Sequence, residues 1–303
     1  MAKVNQAVAA LGYSVNQAAR NLASLRTGSV AFVISERQEH LFGDPNFGTL
    51  VLAFSRQLRA HGQHLIVTAA EDYQDEAFLG NYLASGHVDA AVFALPHDQE
   101  APLLGRLAKS GLPVVVLGPP LGLEDHLSSV GVDDEAAAFD AVKYLLSQGR
   151  TSVATITGPV ATSSGRERLA GYRRALAEAG GGRSRPMSAQ GDWSPRSGRV
   201  AARRLVERHP SLDGLFVASD LMALGAVGAL REAGRRVPED VAVVGFDDSA
   251  AATMADPPLT TVRQPFERLA AEAVKRVNEL IVGEGQGPRH VVLPTKLVKR
   301  RSA

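Results

Sequence analysis

Short apolar segments of strand length alternate with longer helical segments along this chain, and the whole pattern occurs twice. The stretch 29–34 is a nearly continuous apolar run, which is typical of a strand buried on both faces of a sheet. Similar runs recur at 64–67, 90–93 and 113–117. Helix-length segments such as 47–60 and 73–84 separate them, so the pattern predicts βαβ units around a parallel sheet.

The same pattern restarts in the second half of the chain. Ser-Val-Ala at 29–31 returns 123 residues later at 152–154, and Gly118 after a strand has its counterpart 127 residues later at Gly245. The shared order of these matches predicts two similar α/β lobes, and a length of 303 residues suits two lobes better than one small core. Ligands of such lobes bind in a common cleft at the carboxyl ends of the strands.

Unusual polar residues follow the strands of the second half. They lie at 163–168, 219–220 and 247–248, and include serines, arginines and paired carboxylates. Because the loops that follow parallel strands meet at one edge of a sheet, these residues are candidates for a ligand site. The alternative, that strand-end loops are simply polar, stays open.

No catalytic or cofactor motif accompanies these loops. The sequence contains no GxxxxGK[ST] phosphate loop, no GxGxxG turn after a strand, and no GxSxG or HExxH motif. Cysteine is absent and the eight histidines are scattered, so no metal site is expected. We therefore expect no catalytic residue, no cofactor and no metal ion, with a sugar-converting enzyme left open as a rival.

The composition is that of a soluble globular protein, with 45% hydrophobic and 21% charged residues. No apolar run approaches the ~18–20 residues that span a bilayer. The first residues show no secretion signal, so we expect a cytoplasmic protein without a membrane partner. A net charge of +1 argues against a broad nucleic-acid-binding surface on the body of the chain.

The N-terminal segment carries a family resemblance. Residues 4–22 resemble the end of the DNA-binding headpiece of the lactose/galactose-repressor family, where a Leu-Gly-Tyr turn precedes a hinge helix of pattern Asn-x-x-Ala-x-x-Leu. Here the turn is 11–13 and the hinge positions are Asn16, Ala19 and Leu22. The residues also permit a plain amphipathic helix. Since the family's helix-turn-helix would precede this segment, we expect the chain to lack most of the headpiece that reads operator DNA.

Further motifs follow in the family's order through the rest of the chain. They lie at 44–47, 166–172, 191–194, 219–225, 244–248, 258–265 and 293–300. On their joint order the chain is identified as a member of the lactose/galactose-repressor family. The resemblance implies an α/β fold of two similar doubly wound parallel-sheet lobes, of the type I periplasmic-binding-protein-like class, with a cleft between them. The implied domains are a headpiece and hinge remnant at 1–27, a first lobe at 28–132 plus 265–290, and a second lobe at 133–264 plus 291–303.

Carried over by position, the family's effector site falls on seven residues of this chain. They are Asp44 and Phe47 from the first lobe, Arg168, Trp193, Ser219 and Asp247 from the second, and Gln264 at the crossover between lobes. Carboxylate and guanidinium groups suit the vicinal hydroxyls of a sugar, and an indole offers a flat surface to its C–H face. Ser219 stands where the family more often has Asn, and Phe47 and Trp193 are also candidates for simple packing. We expect replacement of Asp247 or Arg168 to weaken ligand binding and to leave the fold intact.

The function that the resemblance implies is that of a ligand-responsive transcriptional regulator, with a repressor favoured. A sugar or sugar derivative in the cleft would shift the angle between the lobes and so control the binding of operator DNA by a homodimer that pairs along the first lobe. The main alternative is a periplasmic-type sugar-binding protein. Such a protein shares the two-lobed architecture but should carry a signal peptide and lack the hinge.

Overall fold

The structure, a computed structural model, describes six stretches of the chain. They are 26–34, 38–70, 73–94, 100–180, 186–285 and 287–303. The hinge positions predicted from the sequence, Asn16, Ala19 and Leu22, lie outside the described residues.

Six parallel strands form the first sheet. They are β1 (Ser29–Ile34), β2 (His64–Ala69), β3 (Ala90–Ala94), β4 (Val114–Leu117), β5 (Ser128–Val132) and β11 (His290–Leu293). Their order across the sheet is β11-β5-β4-β3-β1-β2, and every neighbouring pair is parallel. The helices of this first lobe are α1 (Gln38–Gly43), α2 (Pro45–Ala60), α3 (Tyr73–Ala84), α4 (Ala101–Ser110) and α10 (Phe266–Ile281).

The second sheet also has six strands. They are β6 (Val153–Thr157), β7 (Met187–Gln190), β8 (Gly214–Val217), β9 (Ala242–Asp247), β10 (Thr260–Arg263) and β12 (Lys296–Val298), in the order β12-β10-β9-β8-β6-β7. Only β12 runs antiparallel to its neighbour. The helices of this second lobe are α5 (Asp134–Ser147), α6 (Ser163–Gly180), α7 (Pro195–Arg208), α8 (Asp220–Glu232) and α9 (Ala250–Met254).

The repeat in the sequence is therefore a repeat in topology. The strands β6 to β10 take the same relative positions in the second sheet as β1 to β5 take in the first, so β6 corresponds to β1 and β10 to β5. The predicted fold class, two doubly wound α/β lobes, is confirmed. Within the described residues no helix is long and apolar enough to cross a membrane.

Strand β1 explains why the apolar runs are nearly continuous. Val30, Phe32 and Ile34 pack into the core under α2 and α10, whereas Ala31 and Val33 face the opposite core under α3 and α4. Because helices cover both faces of the sheet, both sets of alternating side chains are buried and neither needs to be polar.

The chain crosses between the lobes three times. It passes into the second lobe after β5, returns to the first after β10, and enters the second again between β11 and β12. The sequence placed this last crossing at 290/291, which is wrong by three residues, because His290–Leu293 pairs in parallel with β5 of the first sheet. Pro294 lacks the N–H that would continue the ladder, so the strand ends before it.

Candidate functional site

A cleft opens between the lobes at the carboxyl ends of their strands. All seven residues predicted for the effector site line it: Asp44, Phe47, Arg168, Trp193, Ser219, Asp247 and Gln264. The lining also includes residues that were not predicted as effector contacts, among them Asn46, Leu50, Thr162, Leu221 and Phe266. The structure thus brings together predicted effector residues as distant in the chain as Asp44 and Gln264, which are 220 residues apart.

Helix starts and strand ends hold several of these side chains in place. Asp44 is the N-cap of α2 and accepts a hydrogen bond from the backbone N–H of Asn46 at 2.8 Å. Ser219 is the N-cap of α8, and its hydroxyl oxygen accepts from the N–H of Met222 at 3.3 Å. Each oxygen satisfies an otherwise unpaired helix N–H, so these residues hold the rim of the cleft as well as facing it.

Arg168 is a buried side chain of the cleft and is held by two hydrogen bonds. It is only 6% exposed, its Nε donates to Asp134 Oδ1 at 2.7 Å, and its Nη1 donates to the carbonyl of Ala218 at 2.6 Å. Its guanidinium carbon lies 3.6 Å from the centre of the Phe246 ring and 5.7 Å from that of Trp193. A guanidinium has five N–H donors, so these bonds leave others to face the cleft. Arg168 therefore braces α5, α6 and β8 against one another in addition to lining the site.

Asp247 ends strand β9 beside this arginine. Its Oδ1 accepts from Gln264 Nε2 at 2.7 Å and lies 3.7 Å from Arg168 Nη1. Burial raises the pKa of Asp247 well above its ordinary value, Arg168 opposes that rise, and the charges of Asp220 and Asp44 add to it. The bond to Gln264 ties the end of β9 to the segment that crosses to the first lobe.

Asp220 lies behind Asp247 and is fully buried. Thr261 Oγ1 donates to its Oδ1 at 2.6 Å, and the backbone N–H of Ser249 donates to its Oδ2 at 2.8 Å. Burial raises the pKa of Asp220 to about 7 despite these two bonds. A Cβ at Gly245 would overlap with the Asp220 carboxylate, so the glycine in β9 leaves room for it.

The stability of the protein should fall as the pH rises from about 4 to about 7. The pKa of Asp220 goes from 3.8 to about 7 on folding, so in this window the folded state keeps a proton that the unfolded chain has lost. For one such group the free energy of unfolding decreases by up to ~1.4 kcal/mol per pH unit. Asp220→Asn does not titrate; its amide oxygen can accept from the N–H of Ser249, and its NH2 can donate to Thr261 Oγ1. Urea unfolding of this variant at a series of pH values should therefore give a shallower slope. Parallel profiles for the variant and the wild type would contradict this assignment.

Trp193 occupies a tight turn ahead of α7. Its φ is +71°, and the turn is closed by the N–H of Ser194, which donates to Asp192 Oδ1 at 2.9 Å. The six-membered ring of the indole fills the space beside Gly158, where any Cβ would overlap with it. Trp193 both packs against the core of the second lobe and lines the cleft. A role in packing and a role in ligand contact are therefore compatible for this residue. Phe47 likewise combines the two, with most of its ring inside the core of the first lobe.

Known proteins share this arrangement. Residues 142–303 match the model of a periplasmic binding protein-like domain. The transcriptional regulator CelR of Thermobifida fusca is 40% identical over 300 residues, which are 99% of this chain and 88% of CelR. The chain belongs to the lactose/galactose-repressor family of transcriptional regulators.

Solved structures of this family superpose on most of the chain. A CelR–cellobiose complex has a TM-score of 0.87 with 39% identity, and the match covers 99% of this chain and 89% of CelR. A lac repressor dimer bound to operator and the anti-inducer ONPF has a TM-score of 0.83 with 26% identity, over 96% and 99% of the two chains. As a member of the family the chain is a transcriptional regulator, and the periplasmic sugar-binding alternative is not supported. The relatives are regulators rather than enzymes.

Proposed function

We propose that this regulator binds a neutral sugar of the cellobiose class in the cleft, and that the sugar controls the binding of operator DNA. The observation that supports it most is the gathering of all seven predicted effector residues in the lining of one cleft. The seven residues supply two carboxylates, a guanidinium, an amide, a hydroxyl, an indole and a phenyl ring, which are groups that bind hydroxyls and C–H faces of sugars. The similarity to CelR, which forms a complex with cellobiose, supports the same ligand class.

The charges of the cleft favour a neutral sugar over a phosphorylated one. Among the described residues, Asp44 and Asp247 line the cleft together with one cation, Arg168, and that cation already has Asp134 as its partner. Within this described lining, a phosphate dianion would find no unpaired positive charge and would be repelled by Asp44. A neutral hydroxyl, in contrast, can donate to a carboxylate or accept from the guanidinium.

The link from sugar to DNA runs through the angle between the lobes. Effector residues come from both lobes, so a sugar that bridges Asp44 and Asp247 stabilises one lobe arrangement over others. The Gln264–Asp247 hydrogen bond lies where the chain crosses between lobes, and a change in lobe angle therefore acts on it directly. In a regulator of this family such a change alters whether the dimer engages its operator. No catalytic function is proposed for the cleft.

Tryptophan fluorescence tests the proposal, because Trp193 is the only tryptophan of the chain. Titration with cellobiose should change its emission saturably, and glucose 6-phosphate should bind more weakly. Asp247→Asn should weaken cellobiose binding by about 10- to 100-fold, since hydrogen bonds to a charged group contribute roughly 1.5–3 kcal/mol. Lys299→Gln, in the segment after β12, is the matched control and should leave the titration unchanged. Equal affinity in the wild type and Asp247→Asn would overturn the site, and a preference for the phosphorylated sugar would overturn the ligand class.

We also propose that the chain forms a homodimer along the first lobe. Large apolar side chains are exposed on three consecutive elements that include the edge strand β2: Leu52 is 62% exposed, Val67 45% and Phe78 77%. A monomer rarely leaves such a set in water, whereas a two-fold interface would bury it. Light scattering should give the dimer mass at micromolar concentration, and Phe78→Glu should shift it towards the monomer. A monomeric wild-type protein would contradict the proposal.

A further inference from the structure

A second cavity lies at the edge of the second sheet opposite the cleft. It is a groove of about 760 Å³, bounded by the end of α8, the segment 234–239, the pair 256–257 and Arg301. We call it the arginine groove. Its walls adjoin the amino ends of β9 and β10, whereas the cleft lies at their carboxyl ends. The length of the sheet separates the two sites, and the volume is that of a small-molecule site.

Four guanidinium groups line the arginine groove, those of Arg231, Arg235, Arg236 and Arg301. Two of them have carboxylate partners: Arg231 with Asp256 at 3.2 Å, and Arg236 with Asp240 at 2.8 Å. The Arg231 and Asp256 side chains are mostly exposed, and such an ion pair contributes little, so an incoming anion can join or replace Asp256 at small cost. Arg236 binds both carboxylate oxygens of Asp240, whose side chain is 28% exposed, so an anion would join this pair rather than replace it.

Arg235 of the groove and Arg150 behind its wall have carbonyl oxygens as hydrogen-bond partners. Arg235 donates to the carbonyl oxygens of Pro210 at 3.0 Å and Leu212 at 2.7 Å. Arg150, behind the same wall, donates to the carbonyl of Pro238 at 2.7 Å. Within the described part of the chain neither guanidinium has a carboxylate partner. Carbonyl oxygens carry no net charge, so they hold the two guanidinium groups in place without neutralising them. The wall of the groove therefore carries positive charge at fixed positions.

The charge balance favours an anionic ligand. Five arginines, four in the groove and Arg150 behind it, face three carboxylates: Glu239, Asp240 and Asp256. The excess of two positive charges matches the charge of a phosphate group, which guanidinium groups bind through paired N–H donors. We propose that the arginine groove is a second ligand site, which binds the phosphate group of a small phosphorylated molecule.

Isothermal titration calorimetry of the full chain with inorganic phosphate, pyrophosphate and glucose 6-phosphate, at constant ionic strength, tests this site. The wild type should show saturable binding, and the double variant Arg231→Gln/Arg301→Gln should bind at least about tenfold more weakly. Arg106→Gln, an exposed arginine of α4 in the first lobe, is the control and should bind as the wild type does. Tighter binding of glucose 6-phosphate than of inorganic phosphate assigns the site to a phosphate ester, and the reverse order assigns it to free phosphate or pyrophosphate.

The double variant should keep the fluorescence response to cellobiose, which shows that it is folded and separates this site from the cleft. Absence of saturable heat with all three ligands would overturn the proposal. So would equal affinity in the wild type and the double variant.

Discussion

Arg168→Ala is expected to lower the free energy of unfolding by about 3–5 kcal/mol, the usual cost of removing one partner of a buried ion pair. The substitution leaves Asp134 and Asp247 without their cation and the Ala218 carbonyl without its donor. It also removes the guanidinium that stacks on Phe246. Urea unfolding followed by circular dichroism measures the loss.

Arg174→Ala is the matched control on the same helix. Arg174 pairs with Glu135, the neighbour of Asp134, but its side chain is 47% exposed. Exposed pairs contribute about 0–1 kcal/mol, so this variant should unfold almost as the wild type does. Similar losses for the two variants would show that the burial of Arg168 is not what makes it important. The expectation from sequence that Arg168 can be replaced without harm to the fold conflicts with this geometry, and we now expect loss of both stability and ligand binding.

Gly158→Ala is expected to displace the Trp193 ring and to weaken sugar binding by about tenfold or more. The added Cβ overlaps with the six-membered ring of the indole, so the ring or the end of β6 must move. Overpacking of this kind costs about 1–3 kcal/mol, and ~1.4 kcal/mol corresponds to a tenfold change in affinity. The emission of Trp193 without ligand should shift, and the cellobiose titration should move to higher concentration.

Gly105→Ala provides the comparison for the effect of the substitution itself. Gly105 lies within α4, and a Cβ there meets no atom within 4 Å. This variant should keep the emission and affinity of the wild type and be slightly more stable, because alanine favours a helix over glycine by roughly 0.5–1 kcal/mol. Unchanged emission and affinity in Gly158→Ala would mean that the indole does not depend on this glycine.

The repeat in the sequence was enough to predict the two lobes, because strands buried on both faces leave an unbroken apolar signal such as that of β1. The cleft residues could be predicted as a set only from the family resemblance, because the strand-end loops by themselves indicated residues of the second lobe such as Ser219 and Asp247. The contacts between these residues could not be predicted. The partner of Arg168 is Asp134, 34 residues earlier, and no local pattern connects the two.

Two other features also depend on contacts that are distant in the chain. Gly158 looks like an ordinary strand-end glycine, and only the position of Trp193 gives it a role. Three arginines of the arginine groove, Arg231, Arg235 and Arg236, are close together in the sequence, but only the fold brings Arg301 beside them. The sequence alone does not show which sheet β11 joins, and so the last crossing between lobes was placed before Val291. In the structure β11 pairs with β5 of the first sheet, and the crossing follows Leu293.

The three crossings between lobes also set the order in which the protein can be completed during synthesis. The core under α2 contains Leu269, Ala273 and Val277 of α10, and the first sheet ends in β11. Both elements leave the ribosome after residues 134–263, which form nearly all of the second lobe. The core of the part that is made first therefore stays open until almost all of the second lobe has been made. Until then Phe32 and Phe54 have an open side, and the nascent first lobe is the segment that most needs protection from aggregation.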